Sequence, residues 1–288
     1  MGEVIRTKEV GAQGQEVDVP RHADARPGSS RAAGPVLKLH RRVVRLGGHD
    51  HTLLTLRPVA RVRFSTNFFH GTWHILSDGH GAQVLARLLW GLSYQARPGT
   101  IVLLDEANLD PNPFDAEPAR PVALIPAGVT AVTGPLLRQL RRADWRRRPP
   151  AGTVRWRTHG LDAAVAADRD RSGGRSHSWA RTVERVVMHA GVIAVTADVD
   201  RLRQLAVEAA RLPDWWYDGQ SWMRLDYPAG EVQIWREYQR MVSVARAARA
   251  DVLADPDATS GEPGVVLERI WRRGRVLRRR RYGPTSSG

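Results

Sequence analysis

Between residues 36 and 252 the apolar residues of the chain fall into short runs that glycine, proline and charged residues separate. Some runs alternate with polar residues, as half-buried strands do, and others repeat every three to four residues, as amphipathic helices do. The most apolar long stretch, residues 122–137, contains two prolines and two glycines and falls short of the roughly 20 apolar residues that a membrane-spanning helix needs. The pattern predicts a globular α+β or mixed α/β fold.

The first part of this region predicts an antiparallel amino-terminal sheet. Three apolar runs (VLKL, RVVRL and TLLTL) lie between residues 36 and 56, and the sequence GGHD between the last two is typical of a hairpin loop. Residues 61–64 alternate charged and apolar side chains, as a half-exposed strand does. We therefore expect strands that pair with their neighbours along the chain.

Strand–helix units are expected to follow this sheet. Ser77 or Asp78 is placed as the N-cap of a helix that Pro98 ends, and residues 100–104 (TIVLL) predict a buried strand. Thr133 opens a second helix, whose leucines repeat on one face and whose arginines repeat on the other.

The second half of the chain continues in the same way. Residues 183–197 predict one long strand or a hairpin about Ala190, and Asp198 caps a helix with regularly spaced leucines and alanines. Residues 265–281 predict a basic strand pair about Gly274. No repeat with a period of 20 to 50 residues is apparent.

The composition also predicts a division of the chain. Residues 1–35 have no aromatic residue and are rich in glycine, proline and charge, so we expect a disordered tail. Residues 36–166 predict an amino-terminal lobe and residues 181–282 a carboxyl-terminal lobe, with 167–180 as a linker or mobile loop. A single domain over 36–282 is the alternative, and residues 283–288 form a short tail.

Positive charge is concentrated in two places. The formal net charge is +14, and 44 residues are lysine or arginine, of which only Lys8 and Lys38 are lysines. Residues 138–148 contain six arginines and one aspartate, and residues 264–288 contain eight arginines and one glutamate. A GC-rich genome explains the preference for arginine over lysine, but it does not explain this clustering.

Tryptophans lie inside the basic sequence, which favours a nucleic-acid-binding protein. Arginines neutralise phosphates while unpaired bases stack on indoles, so the combination suits single-stranded nucleic acid. Another polyanion, an acidic protein or a membrane surface is a further possible partner. The residues assigned to this contact are Arg138, Arg141, Arg142, Trp145, Arg146, Arg147, Arg148, Trp271, Arg272, Arg273, Arg275, Arg278, Arg279, Arg280 and Arg281.

A histidine-rich segment supports the alternative of an enzyme that depends on histidine and aspartate or on a divalent metal. Five of the ten histidines lie between residues 49 and 80, and imidazoles and carboxylates are natural metal ligands and proton carriers. A strand that ends in two acids is also a common ligand position in α/β folds. The candidate catalytic residues are His70, His74, Asp78, His80, Asp105 and Glu106, and the candidate metal ligands are His49, His51 and Asp105.

Several classes of site are excluded, and some interpretations stay open. The chain has no cysteine, no Gly-Lys dipeptide, no G-x-G-x-x-G after a strand and no G-x-S-x-G, which argues against thiolate chemistry, a P-loop, a dinucleotide fold and a serine-hydrolase elbow. The acidic loop 105–121 could pair with the protein's own arginines. The aromatic group at 215–235 predicts core packing or a pocket wall. A third hypothesis is an interaction protein without ligand chemistry. With no secretory signal visible, we expect a cytoplasmic protein.

Overall fold

The computed structural model describes residues 37–171, 184–226, 228–255 and 262–282. All of them belong to the larger of the two compact parts into which the chain divides, Pro35–Gly288. The predicted tails at 1–35 and 283–288 lie outside the described residues, as does 172–180 of the predicted linker. The remaining linker residues, 167–171, are the last turn of a helix, in which Asp168 pairs with Arg211.

Seven strands form the larger sheet. They are β1 (Lys38–Leu46), β2 (His49–Leu56), β5 (Thr100–Leu104), β6 (Val122–Pro126), β7 (Gly152–Arg155), β8 (Glu184–His189) and β9 (Val192–Ala197). Their order is β7-β1-β2-β5-β6-β9-β8, with β2 parallel to β5, β6 parallel to β9 and the other pairs antiparallel.

Four strands form the smaller sheet. They are β3 (Ser65–Phe69), β4 (Thr72–Ser77), β10 (Gln220–Arg224) and β11 (Gly230–Trp235). Their order is β10-β11-β4-β3, with β11 parallel to β4 and the other pairs antiparallel. Each sheet therefore contains strands from both sides of residues 167–180.

Six described helices complete layers around the sheets. They are α1 (Gly79–Leu92), α2 (Gly134–Arg142), α3 (Leu161–Arg171), α4 (Val199–Arg211), α5 (Tyr238–Leu253) and α6 (Pro263–Tyr282). The largest hydrophobic core joins α1, α3 and α4 to one face of each sheet, so these helices lie between the sheets. The helix α2 covers the outer face of the seven-stranded sheet, whereas α5 lies on the outer face of the four-stranded sheet and α6 packs on α5.

The predicted mixed fold is confirmed, including the β1–β2 hairpin, the helix caps at Asp78 and Asp198 and the hairpin about Ala190. Two local predictions were wrong. Residues 61–64 precede a strand, because Arg61 adopts a left-handed conformation that interrupts extended backbone. Residues 265–281 form one helix and no strand pair, because Ile270 and Leu277 lie two turns apart and pack together on α5.

The order of the elements is duplicated within the fold. Residues 65–142 and 184–253 each follow the order β-β-α-β-β-α, and we call them the first unit and the second unit. The first hairpin and helix of the two units correspond with a constant offset: Thr66 pairs with Ile75, and Val186 pairs with Val195, both 120 positions later. Both hairpin turns place two residues at positive φ, and an aspartate caps the helix that follows each hairpin.

The two units exchange strands. Each sheet contains the first hairpin of one unit beside the last two strands of the other, in the orders β3-β4-β11-β10 and β8-β9-β6-β5. The parallel pairing of Ile75 with Val232 corresponds to that of Val195 with Leu124. The last helix of each unit, α2 or α5, then covers the outer face of the sheet that its own last two strands enter.

Candidate functional site

The helix α6 contains the second basic segment that the sequence predicted, and we call its arginines from residue 272 to 281 the basic face. Val266, Ile270 and Leu277 pack on α5, and most of the arginines of α6 are exposed. Arg272 pairs with Glu268 at 2.8 Å and Arg273 with Asp251 at 2.6 Å. Within the described residues no ion pair involves the remaining members of this face, Arg275, Arg278, Arg279, Arg280 and Arg281.

In the basic segment of α2, some arginines are exposed and others contact protein atoms. Arg138 and Arg142 are exposed on the side of α2 that faces away from the sheet, and Arg141 donates to the carbonyl oxygen of Ala190 at 3.1 Å. After the helix, Arg147 pairs with Asp144 at 3.3 Å, and Arg148 is exposed.

Trp145 is not available for stacking on a base. Its side chain is only 4% exposed, and its Nε1 donates to the carbonyl oxygen of Leu140 at 3.1 Å. The guanidinium groups of Arg42 and Arg146 lie 5.5 and 4.6 Å from its ring centre and occupy the neighbouring space. Trp156 is equally buried, whereas Trp271 on α6 is 45% exposed. Of the three tryptophans in basic sequence, only Trp271 could therefore contact a ligand.

The structure does not gather the histidine-rich segment into one site. His49 and His51 lie on β2 of the seven-stranded sheet, whereas His70 lies in the β3–β4 turn and His74 on β4 of the other sheet. His80, in the first turn of α1, contacts the carbonyl oxygen of Ala60 at 3.3 Å. Among the described residues no three His, Asp or Glu side chains lie together as a metal ion would require.

The two acids that follow β5 lie beside arginines. Asp105 is buried and accepts from the backbone N–H of Ala107 at 3.2 Å, as the cap of a short 3-10 turn. Burial raises the pKa of Asp105, although Arg146, this N–H group and Arg42 act in the opposite direction. Glu106 is exposed and lies 3.7 Å from Arg146.

Two further residues of the acidic loop contact the protein's own arginines, which was one of the alternatives, although the carboxylate of Asp115 accepts from Asn112 and from the backbone N–H of Glu117. Asp110 lies 2.8 Å from Arg246 on α5 and 3.9 Å from Arg63. Arg249, one turn further along α5, donates to the backbone carbonyl of Asp115 at 3.2 Å. These contacts fasten α5 to the loop between β5 and β6.

A polar cluster lies on the outer face of the four-stranded sheet. His74 is 8% exposed, its Nε2 lies 3.6 Å from Glu231, and its Nδ1 is buried without a partner among the described residues. Gln233 donates to Glu231 at 3.2 Å, and Asn112 of the acidic loop donates to Asn67 at 3.1 Å. Burial lowers the pKa of His74, against the effect of the neighbouring Glu231 carboxylate.

The duplication shows how unusual this cluster is. Five positions of this outer face correspond to residues of the seven-stranded sheet that are apolar and buried under α2, whereas Asn67 corresponds to the half-buried Val187 and Phe69 to His189. His74 corresponds to Ala194, Glu231 to Ala123, Gln233 to Ile125, Arg224 to Leu103 and Trp222 to Ile101.

We call the residues that share this outer face the polar face: Asn67, Phe69, His74, Trp222, Arg224, Glu231 and Gln233. Two of its aromatic side chains are half exposed, Trp222 at 48% and Phe69 at 50%. Of these seven residues the sequence pattern indicated His74 as a candidate catalytic residue and Trp222 as part of an aromatic group predicted to form core packing or a pocket wall. The other residues stand out only when the two units are compared, and a search for repeats of 20 to 50 residues does not detect units that lie about 120 positions apart.

Comparison of the chain with protein-family models, with curated proteins and with solved structures gives no match. Within the described residues no helix combines the length and the apolar character needed to cross a membrane.

Proposed function

We propose that the protein binds nucleic acid through the exposed face of α6. The observation that carries this proposal is the orientation of α6, whose apolar side chains face α5 while five arginines without a described acidic partner remain on its surface. A helix of 20 residues is about 30 Å long, and nucleic acid offers phosphates at regular intervals over such a length.

The chemistry of arginine suits this partner. A guanidinium is always charged and can donate two parallel hydrogen bonds to one phosphate, which gives shorter and stronger contacts than a point charge would. Trp271 lies on the same helix and is 45% exposed, so it could contact sugar or base beside the phosphates. The α2 segment supports the proposal less, because Trp145 is buried and Arg146 and Arg147 lie beside acids.

The test is a substitution on α6 that preserves the fold. The variant Arg275→Gln, Arg279→Gln, Arg280→Gln loses three charges from exposed positions and keeps Ile270 and Leu277 in place. We expect weaker binding of labelled oligonucleotides in fluorescence anisotropy, with a salt slope that flattens by about one unit for each phosphate that the variant no longer neutralises. Truncation of α6 is a poorer test, because it would expose the apolar residues of α5 that α6 covers.

The matched control removes the same charge from surfaces outside both basic segments. Arg45, Arg97 and Arg185 are exposed, and their joint replacement by Gln should leave the affinity and the salt slope close to those of the unmodified protein. Equal losses of affinity in the two triple variants would mean that net charge alone attracts the ligand. Absence of binding at about 50 mM salt, where phosphate contacts are strong, would overturn the proposed function.

A further inference from the structure

The polar face is the surface on which corresponding side chains of the two units differ most in polarity. In the seven-stranded sheet the last helix of the unit lies on alanines, leucine and isoleucines. In the four-stranded sheet the corresponding positions carry His74, Glu231, Gln233, Arg224 and Trp222. His74 is the buried member of this group, and a buried polar side chain costs free energy that an apolar one would not.

We infer that the polar face binds single-stranded nucleic acid, with bases stacked on Trp222 and Phe69. This inference rests on the proposed function, because α6 is the source of the phosphate contacts. The two aromatic side chains lie on β10 and β3, the two edge strands of the sheet. The in-register row of Asn67, His74, Glu231 and Arg224 crosses the sheet between the level of Trp222 and the level of Phe69.

Several features favour unpaired bases as the ligand. Half-exposed aromatic rings on a four-stranded sheet can stack unpaired bases, whose faces are accessible in a single strand but not in a duplex. Amide and carboxylate groups such as those of Gln233 and Glu231 offer the donors and acceptors that base edges need.

Charge favours the same partner. Arg224 is exposed on β10 beside Trp222, and the arginines of α6 belong to the same outer layer, because α6 packs on α5 and α5 lies on this side of the four-stranded sheet. Glu231 is the one acid in the polar face, and it lies beside His74 and accepts from Gln233. A strand of nucleic acid on the polar face therefore meets the guanidinium of Arg224 on the same β-strand as the ring of Trp222.

The experiment compares a labelled single strand with a duplex of the same length in fluorescence anisotropy across a salt series. We expect the single strand to bind more tightly, and Trp222→Leu to lower its affinity roughly 5- to 150-fold, the loss of one stacked base, with an unchanged salt slope. Phe69→Leu should act in the same direction, and Trp222→Phe should restore most of the affinity. Tyr94→Leu changes a half-exposed aromatic in the central layer and should have no effect.

Each outcome decides between the two proposals. If Trp222→Leu and Phe69→Leu leave single-strand binding unchanged while the triple arginine variant weakens it, the inference about the polar face is overturned and binding by α6 stands. Equal affinity for the single strand and the duplex, unaffected by Trp222→Leu, has the same meaning. If the unmodified protein binds neither oligonucleotide, both proposals fall.

Discussion

The first and second units share an order of elements, yet they use their outer sheet faces in opposite ways. On the seven-stranded sheet, α2 inserts Leu136, Leu137 and Leu140 against an apolar surface. On the four-stranded sheet, α5 covers Leu76 with Tyr238 and Val242 and leaves polar side chains over the rest of the surface. The two units therefore share their backbone pairing, whereas the side chains on their outer faces differ.

The two helices between the sheets that correspond to each other, α1 and α4, differ in how many of their residues are buried. α1 is buried on almost every side, with ten buried residues among its 14, because it packs against both sheets and α4. α4 has six buried residues among 13 and carries a charged side, where Arg201 pairs with Glu184 at 2.6 Å and Glu208 at 3.1 Å. The helix α1 therefore contributes more of the shared core than α4 does.

The strongest effect should come from exchanging the corresponding residues of the two outer faces. Ile125→Gln places an amide at a fully buried position under α2, so it loses apolar burial and leaves a polar group without a partner. We expect the free energy of unfolding, measured by urea denaturation, to fall by about 3–5 kcal/mol.

The reverse change, Gln233→Ile, is the matched control. Gln233 is half-buried and makes one hydrogen bond to Glu231, so its replacement should change the free energy of unfolding by less than about 1 kcal/mol. Similar losses from the two substitutions would show that the polar face is as tightly packed as the surface under α2, and the contrast between the units would fail.

The sequence predicted the local parts of both units and missed their exchange. Turn residues, the capping aspartates and the leucine spacing of α4 are local signals, and they found the hairpins and helices. The pairing of β4 with β11 joins residues far apart in the chain, which no local pattern reports. In α6 the arginines interrupt the apolar pattern and hide the helical spacing of Ile270 and Leu277. The charged neighbours of Trp145 likewise conceal its burial.

A second contrast concerns two aspartates that occupy corresponding positions at the ends of β5 and β10. Asp105 is buried with a raised pKa, whereas Asp226 accepts from the backbone N–H of Val186 at 2.9 Å and so holds the edge strand β8. Asp226→Ala should lower the free energy of unfolding, measured by urea denaturation, by about 1–2 kcal/mol, because it leaves this N–H group unpaired.

Asp105→Asn should act in the opposite direction. A carboxyl whose folded pKa is raised binds its proton more tightly in the folded state, so its contribution to stability falls as the pH rises from about 4, its unfolded value, through the folded value. The asparagine variant should therefore gain stability relative to the unmodified protein over that range, in urea denaturation at several pH values. A difference that stays constant from about pH 4 to 7 would contradict the raised pKa.

The two capping aspartates should make equal contributions to the free energy of unfolding in the two units. Asp78 accepts from the N–H of Gly81 and Asp198 from that of Arg201, both at 2.8 Å. Each replacement by alanine should lower the free energy of unfolding by about 1 kcal/mol, and the double variant should lose the sum if the two caps act independently. A cap that costs nothing in one unit would show that its helix begins elsewhere in solution.

The weakest effect should be a gain of stability at the hairpin turns. His70 and Ala190 each precede a glycine and adopt φ values of 50° and 52°. Such positive φ values are unfavourable for most residues other than glycine, asparagine and aspartate. Ala190→Asn creates the Asn-Gly pair that such turns prefer and should raise the melting temperature, with a gain of about 0.5–1 kcal/mol. His70→Asn should give a similar gain unless the stacking of Phe69 on His70, with ring centres 3.8 Å apart, offsets it. A smaller gain at His70 than at Ala190 would therefore measure how far the ring contact next to the polar face stabilises the turn of the first unit.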